Sequence, residues 1–446
     1  MKKIFNGICL IFLCVAAYSQ SSSFQRRALL LSKSSQVENY YSIDNDGISI
    51  YASPILKKQN KPECKVYFDE IEQFQKLIST LPADKFKEIY KNKKTNRLSQ
   101  LTLSSCELTK IQKSISFHAQ KPLNGIRIAI DPGHLGGTQE TAKIEGKFVS
   151  VIHENTLFEL IEGNLTLATA LILKDSLTKL GAEVLLTRSN YGHSVFGKTF
   201  EQWLAQDLMR HLNASLKKGT ISIKKYSSLL MEKDKNVIFH HFFRDLEMIE
   251  RAKKINQFRP DITLIIHFNI DEINWNQYHK KIPHYPLSSH NYNMAFVGGS
   301  FLPEELSSEE SRIAFLRFLI TDDLDNSILL SNCFIQACEQ YLKNETFKDQ
   351  QPLAYIQKYS LPTSAPGVFA RNLLMTRLVR GTVCYGETLY QDNWQELHLL
   401  SQKPIVMNKL AINQRLVEVA QSYLHGVLEY VRLKFNSPSF SSQSQL

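Results

Sequence analysis

Past residue 20, this 446-residue sequence has no apolar run long enough to cross a bilayer, which excludes a transmembrane helix from the mature chain. The first stretch is different. Lys2 and Lys3 precede the apolar run Ile8 to Ala17, and Ala17-Tyr18-Ser19 puts small residues where a signal peptidase cuts. That run is too short for a stable span and predicts a secretory signal peptide over 1–19. No two cysteines have zinc-knuckle spacing, so no metal is assigned to sulfur. Export removes Cys9 and Cys14, makes Cys64 and Cys106 candidates for a disulfide, and leaves Cys384, in an apolar strand-like run, as a core thiol. A nucleic-acid-binding motif is also missing, and export argues against that partner. The formal charge of +10 then points to an anionic surface or polymer, such as cell wall or lipid head groups.

Residues 20–120 show no repeat. Asn45-Asp46-Gly47 is a turn signal before a strand at Ile48 to Tyr51, and Phe68 to Leu81 has helical spacing. Lys85 to Arg97 reads as a solvated helix face. The region is expected to be a small N-terminal accessory domain joined near Lys121-Pro122.

From Ile126 strands and helices alternate. Ile126 to Gly137 reads I-R-I-A-I-D-P-G-H-L-G-G, a short β-branched run ended by Pro and Gly. A polar loop follows over Thr138 to Leu160, with a short element at Phe148 to Ile152. The spacing predicts a helix over Asn164 to Leu180 stopped by Gly181, then a strand at Ala182 to Leu186. An aromatic and basic insertion (189–243) leads to a helix over Arg244 to Phe258, then a buried strand, Ile262 to Ile266, that stops at His267. A second insertion (271–366) contains the helix-rich stretch Pro303 to Leu342. Last come a strand at Thr382 to Tyr385, a closing helix at Leu410 to Phe435 and a Ser-rich tail (436–446) expected to be disordered. This rhythm predicts an α/β fold with a mostly parallel, mixed sheet and helices on both faces, over a main domain at 121–435.

Parallel strands share one C-terminal edge, and ligands bind there. His134 and His267 each follow a predicted strand, an acidic residue at the start of the Asn164 helix reaches the same edge, and Glu387 follows the last strand. Glu162, Glu154 and Glu159 compete for the helix-start position, the helical register favouring Glu162. Two imidazoles and a carboxylate suit a catalytic Zn²⁺ with one open position, and a further carboxylate can take a proton from water and pass it to a leaving amine.

The ordered blocks I-A-I-D-P-G-H-L-G-G, E-G-N-L-T-L-A-T-A-L, L-G-A-E-V-L-L-T-R, E-R-A-K-K-I-N and P-D-I-T-L-I-I-H-F-N, with G-V-F-A-R-N-L-L before V-C-Y-G-E, resemble the zinc-dependent N-acetylmuramoyl-L-alanine amidases of the amidase-3 type. The resemblance implies one Zn²⁺ held by His134, Glu162 and His267, with Glu387 as the catalytic glutamate. It implies peptidoglycan as substrate, cut between N-acetylmuramic acid and L-alanine in the periplasm or cell envelope. It also implies a plug over the zinc at Pro303 to Leu342, open to control by a protein activator. Leu135 departs from the pattern, standing where such sequences carry glycine, and Thr166 stands where they carry asparagine. A wall-binding scaffold without catalysis, or a zinc peptidase cutting within the stem peptide, are the alternative readings.

Overall fold

The computed structural model describes residues 23–101, 121–274, 286–347, 353–402, 405–407 and 410–435. The expected signal peptide, Cys106 and the tail lie outside them. Cys64 is buried and free.

The N-terminal region holds an antiparallel sheet of β1 (Tyr41–Ile43), β2 (Gly47–Ile50) and β3 (Cys64–Tyr67). Beside it lie the helices α1 (Ile71–Thr80) and α2 (Ala83–Lys93). Its apolar residues, among them Phe74, Leu77 and Tyr90, join the same buried cluster as the core of the main domain. The region is therefore fused to the main domain rather than hung on a linker.

The main domain begins with β4 (Arg127–Pro132), the helix α3 (Gln139–Glu145), and a hairpin of β5 (Phe148–His153) and β6 (Thr156–Ile161). The expected polar loop is thus a helix and a hairpin; β5 begins with four consecutive buried residues rather than an alternation, and so gives no period-2 signal. Next come α4 (Glu162–Lys179), β7 (Glu183–Leu186), the helical insertion, α5 (Arg244–Phe258), β8 (Ile262–Asn269) and β9 (Tyr292–Val297). The helices α6 (Glu309–Ile320) and α7 (Asp323–Leu342) precede β10 (Glu345–Thr346), β11 (Ser360–Pro362), β12 (Val368–Arg371), β13 (Thr382–Tyr390) and the closing α8 (Gln414–Phe435). The sheet order is β11-β12-β9-β13-β8-β4-β7, with β10 beside β9. The strands β7, β4, β8 and β13 are parallel, β9 runs against β13, and β11 runs against β12. The sheet is mixed, as expected.

Burial on both faces explains the near-continuous apolar strands; all eight residues of β8 are buried. Ile128, Ile130, Leu264 and Cys384 face one layer with Leu173, Phe334 and Val427 of α4, α7 and α8. Ala129, Ile265 and Val383 face the other, with Ala252 and Ile255 of α5. Two strands run past their expected ends, so His267 and Glu387 lie within β8 and β13. An apolar run read from sequence stops at the first polar residue, whereas the hydrogen-bonded ladder does not.

The expected plug is a correction. Pro303 to Leu342 contributes no lining to the cavity described below. Its α7 packs along α8 and β13, with Phe334 stacked on Tyr423 at 4.2 Å, so it is core. Its α6 receives the N-terminal region through apolar packing and buried charge. Arg312 donates to both oxygens of Glu63 at 2.6 and 2.8 Å, and Glu63 also accepts from Tyr90. Arg27 likewise reaches Asp325 at 2.7 Å.

Arg312 is 6% exposed, so removing it strands a carboxylate in the seam between the two regions. Arg312→Ala is expected to lower the unfolding free energy by about 2–4 kcal/mol, read by urea unfolding, with part regained when Glu63→Gln is added. Unchanged stability in the single variant would show that the seam carries no load.

Candidate metal centre

The chain reverses after β4 through a turn that few sequences accept. His134 has φ 60°, and Gly136 and Gly137 follow at 68° and 91°. A non-glycine residue in the left-handed region costs free energy and persists only where its surroundings over-determine it. Two buried guanidiniums do so here. Arg188 donates to the carbonyls of Pro132, Gly133 and Gly163 at 3.1, 2.9 and 2.7 Å. Arg251 donates to the carbonyls of Pro132 and His134 at 2.8 and 3.2 Å and to Asp131 at 3.2 Å, while Glu247 accepts from it at 2.7 Å. Thr166, the departure in α4, donates to the Gly133 carbonyl at 2.6 Å.

Two glycines allow the close approach. A Cβ on Gly133 would fall 2.4 Å from the His267 ring, and one on Gly163 would fall 2.2 Å from the Gly136 nitrogen. The start of α4 therefore sits against the turn, and His267 reaches over it. Glu162, at the first position of α4, is 3% exposed and bridges both imidazoles. Its Oε1 lies 3.1 Å from His267 Nδ1, and its Oε2 lies 3.2 Å from His134 Nε2. The ligand atoms of His134, Glu162 and His267 all lie within 4.8 Å of one another. Glu154 and Glu159 are exposed on the hairpin, away from the histidines.

Glu145, unforeseen from sequence, completes the arrangement. Its Oε1 accepts from His134 Nδ1 at 3.0 Å and its Oε2 accepts from the Leu135 N–H at 3.1 Å. With Nδ1 engaged, Nε2 of His134 is the nitrogen left to bind; it is buried and makes no hydrogen bond, its nearest charged neighbour being Glu162 Oε2 at 3.2 Å. Such an orphaned ring nitrogen, facing a carboxylate and a second imidazole, fits a metal cation.

The charges have identifiable causes. Burial opposes a charged His134, but Glu162 and Glu145 outweigh it and lift the imidazole to about 9. His267 is lowered to about 4, chiefly by burial. Burial opposes the charged form of Glu162 too, yet His134 and Lys147 hold it well below the usual carboxylate range. Glu387 pairs with His267 across β13 and β8. Burial, and then repulsion from Glu162, push it up to about 8. Tyr385 stacks on His267 with ring centres 4.6 Å apart.

A cavity of about 600 Å³ joins these groups; His134, Glu145, Glu162, His267, Glu387 and Arg371 line it. The first insertion walls one side, through the π-helical turn Phe239–Phe243, and Asn274, Phe296 and Tyr355 of the second insertion line the cavity as well. Leu135, the other departure, is 2% exposed and anchors in the apolar cluster of that insertion, among Phe200, Trp203 and Phe239.

A carboxyl raised from its ordinary 4.5 to about 8 holds in the folded state a proton that the unfolded chain releases. Its stability cost therefore grows between those two pH values and is complete above the upper one. Glu387→Gln is expected to raise the melting temperature of the metal-free protein at pH 9 and to leave it unchanged at pH 4. Equal shifts at both pH values would refute this origin.

Several solved structures resemble the chain at low identity. Ami1 from Mycobacterium smegmatis, an N-acetylmuramyl-L-alanine amidase, is 12% identical, with 69% of this chain and 98% of that chain covered and a TM-score of 0.38. The CwlD amidase from Clostridioides difficile, solved in complex with the GerS lipoprotein, is 14% identical, with 69% and 99% covered and a TM-score of 0.36. AmiC2 of Nostoc punctiforme is 11% identical, with 69% and 97% covered and a TM-score of 0.35. No curated protein matches the chain. The family model for N-acetylmuramoyl-L-alanine amidase, however, matches residues 128–413, more than half of the chain and inclusive of the whole histidine and glutamate cluster, so this chain belongs to the amidase-3 family.

Proposed function

We propose that the chain is an exported zinc amidase that hydrolyses the amide between the lactyl group of N-acetylmuramic acid and the L-alanine of the peptidoglycan stem. The observation that carries this reading is the cluster of His134, Glu162 and His267 with Glu387 beside it in one cavity. The first three would hold the ion, in a two-nitrogen, one-oxygen set that leaves a coordination position open. Zinc held there supplies Lewis acidity to an amide carbonyl and to water.

The remaining work falls to side chains. The Glu387 carboxylate takes a proton from the attacking water and returns it to the alanine nitrogen as the C–N bond breaks. In the metal-free cavity burial and the Glu162 charge raise this carboxyl above its ordinary range, a direction that favours return of the proton. Glu145 fixes the tautomer and the orientation of His134, and Tyr385 holds the ring plane of His267. The basic composition suits an anionic wall, and the expected leader supports export. In the same reading residues 121–435 carry the chemistry, with insertions at 189–243 and 271–366, and residues 20–120 are an accessory unit.

Digestion of purified sacculi by the zinc-loaded protein is expected to release intact stem peptides, identified by mass spectrometry. Rates in His134→Ala and Glu387→Gln should fall by about 100-fold or more. Fragments cut within the stem would instead establish a peptidase, and unchanged release in both variants would remove the site from the chemistry. Metal analysis should give one zinc per chain. Glu145→Gln, still folded, should bind zinc about 10–100-fold more weakly, measured by chelator competition. Equal affinity would reduce Glu145 to a structural role.

A further inference from the structure

The cavity floor runs away from the histidines as a row of rings on one face of the sheet. His267 stacks on Tyr385, Tyr385 meets Phe296 with ring centres 6.1 Å apart, and the Arg371 guanidinium lies 5.1 Å from the centre of Phe296. On its other side Arg371 lies 5.0 Å from the ring centre of Tyr355. Arg371 ends β12, and its side chain is half-buried within the cavity wall.

The other lysine and arginines of the cavity have acidic company. Lys147 is 3.9 Å from Glu162, Arg244 is 3.0 Å from Asp245, and Arg251 is held by Asp131 and Glu247. Among the described residues, no side-chain hydrogen bond or ion pair holds Arg371, although the Glu387 carboxyl is close enough to feel its charge. Two aromatic rings position a planar cation without using its N–H donors, so the fork stays available. A guanidinium placed in this way is a receptor for a planar anion, above all a carboxylate, which it binds through two parallel hydrogen bonds.

We propose that Arg371 is a specificity-determining residue that receives a free carboxylate of the stem peptide, beyond the scissile amide. This rests on the amidase reading above, in which the stem peptide is the leaving group and lies in this cavity. The residue after the stem's alanine is a γ-linked glutamate whose α-carboxylate is free unless it has been amidated. That carboxylate is within about two residue lengths of the scissile bond, roughly 7 Å of extended chain. Amidation removes the charge and one acceptor while keeping the shape. The enzyme should therefore distinguish wall with free carboxylates from wall with carboxamides.

The test uses two soluble muropeptides that differ only in this group, carboxylate or carboxamide, with the zinc-loaded full-length protein. Wild type should favour the carboxylate by about tenfold or more in kcat/KM, with the difference in KM. Arg371→Gln should lose that factor on the carboxylate substrate and keep its rate on the carboxamide, so that the preference disappears. Arg371→Lys should fall between, since an ammonium keeps the charge without the fork. The carboxamide rate doubles as a control for folding. Equal losses on both substrates, or a wild type without preference, overturn the proposal while leaving the amidase reading intact. Failure to cut either substrate while sacculi are cut within the stem overturns both. Calorimetric binding of the two muropeptides to Glu387→Gln should show the same contrast without turnover, and equal affinities there also count against Arg371.

Discussion

Two buried arginines carry the geometry of this protein. The turn after β4 exposes the carbonyls of Pro132, Gly133 and His134 within a dry interior, and unpaired carbonyls there would be costly. Arg188 satisfies those of Pro132 and Gly133, and Arg251 those of Pro132 and His134. A guanidinium suits this work because its donors lie in a fixed plane and its charge survives burial when carboxylates or carbonyls face it. Burial lowers Arg188 to about 9, whereas Glu247 and Asp131 overcome burial for Arg251 and raise it. The left-handed His134 is thus held by contacts that come from α5 and from the end of β7. Neither arginine touches the ligand atoms, yet the direction of His134 depends on both.

The same balance of charge governs the cavity. Glu145, Glu162 and Glu387 surround two imidazoles, and each carboxylate has a different environment. Glu145 is fixed by a ring nitrogen and a backbone N–H, Glu162 faces both rings, and Glu387 has neither. Two carboxylates are therefore kept ionised, and the third is pushed toward its neutral form. The three acids thus differ in what they can do: Glu162, ionised between the two rings, suits a cation, Glu145 orients His134, and Glu387, pushed toward its neutral form, suits carrying a proton.

Much of this was legible in the chain. The alternation of β-branched runs and amphipathic segments predicted the sheet, and α5 begins and ends at the expected residues, Arg244 and Phe258. The convergence of His134 and His267 followed from parallel strands that share one C-terminal edge, although β8 runs on past His267. Glu145 was not legible, because its role depends on α3 folding back onto the turn, and a lone acid before Gly146 resembles any helix end. Arg251 was half legible: Glu247, Arg251 and Ile255 share one face at i and i+4 spacing, and charges on a buried face signal a polar task. The misplaced plug shows the limit of length as a clue. The acidic opening and apolar content of α6 and α7 fit a mobile cover as well as a core layer, and only Phe334, Cys338 and Leu342, packed under β13 and α8, decide for the core.

Leu135 then has a physical explanation. The positive φ values of the turn fall on His134, Gly136 and Gly137 and not on Leu135, so the backbone accepts a leucine there without strain. Its side chain inserts among Phe200, Trp203 and Phe239, its N–H goes to Glu145, and its carbonyl accepts from Gly192. One residue thereby ties the turn to α3 and to the helical insertion that walls the cavity. The insertion cannot shift without pulling on Leu135, and Leu135 cannot shift without disturbing the Glu145 contact that orients His134. The helical insertion has become part of the support for the candidate metal site, because the residue that departs from the expected pattern is the one that joins them.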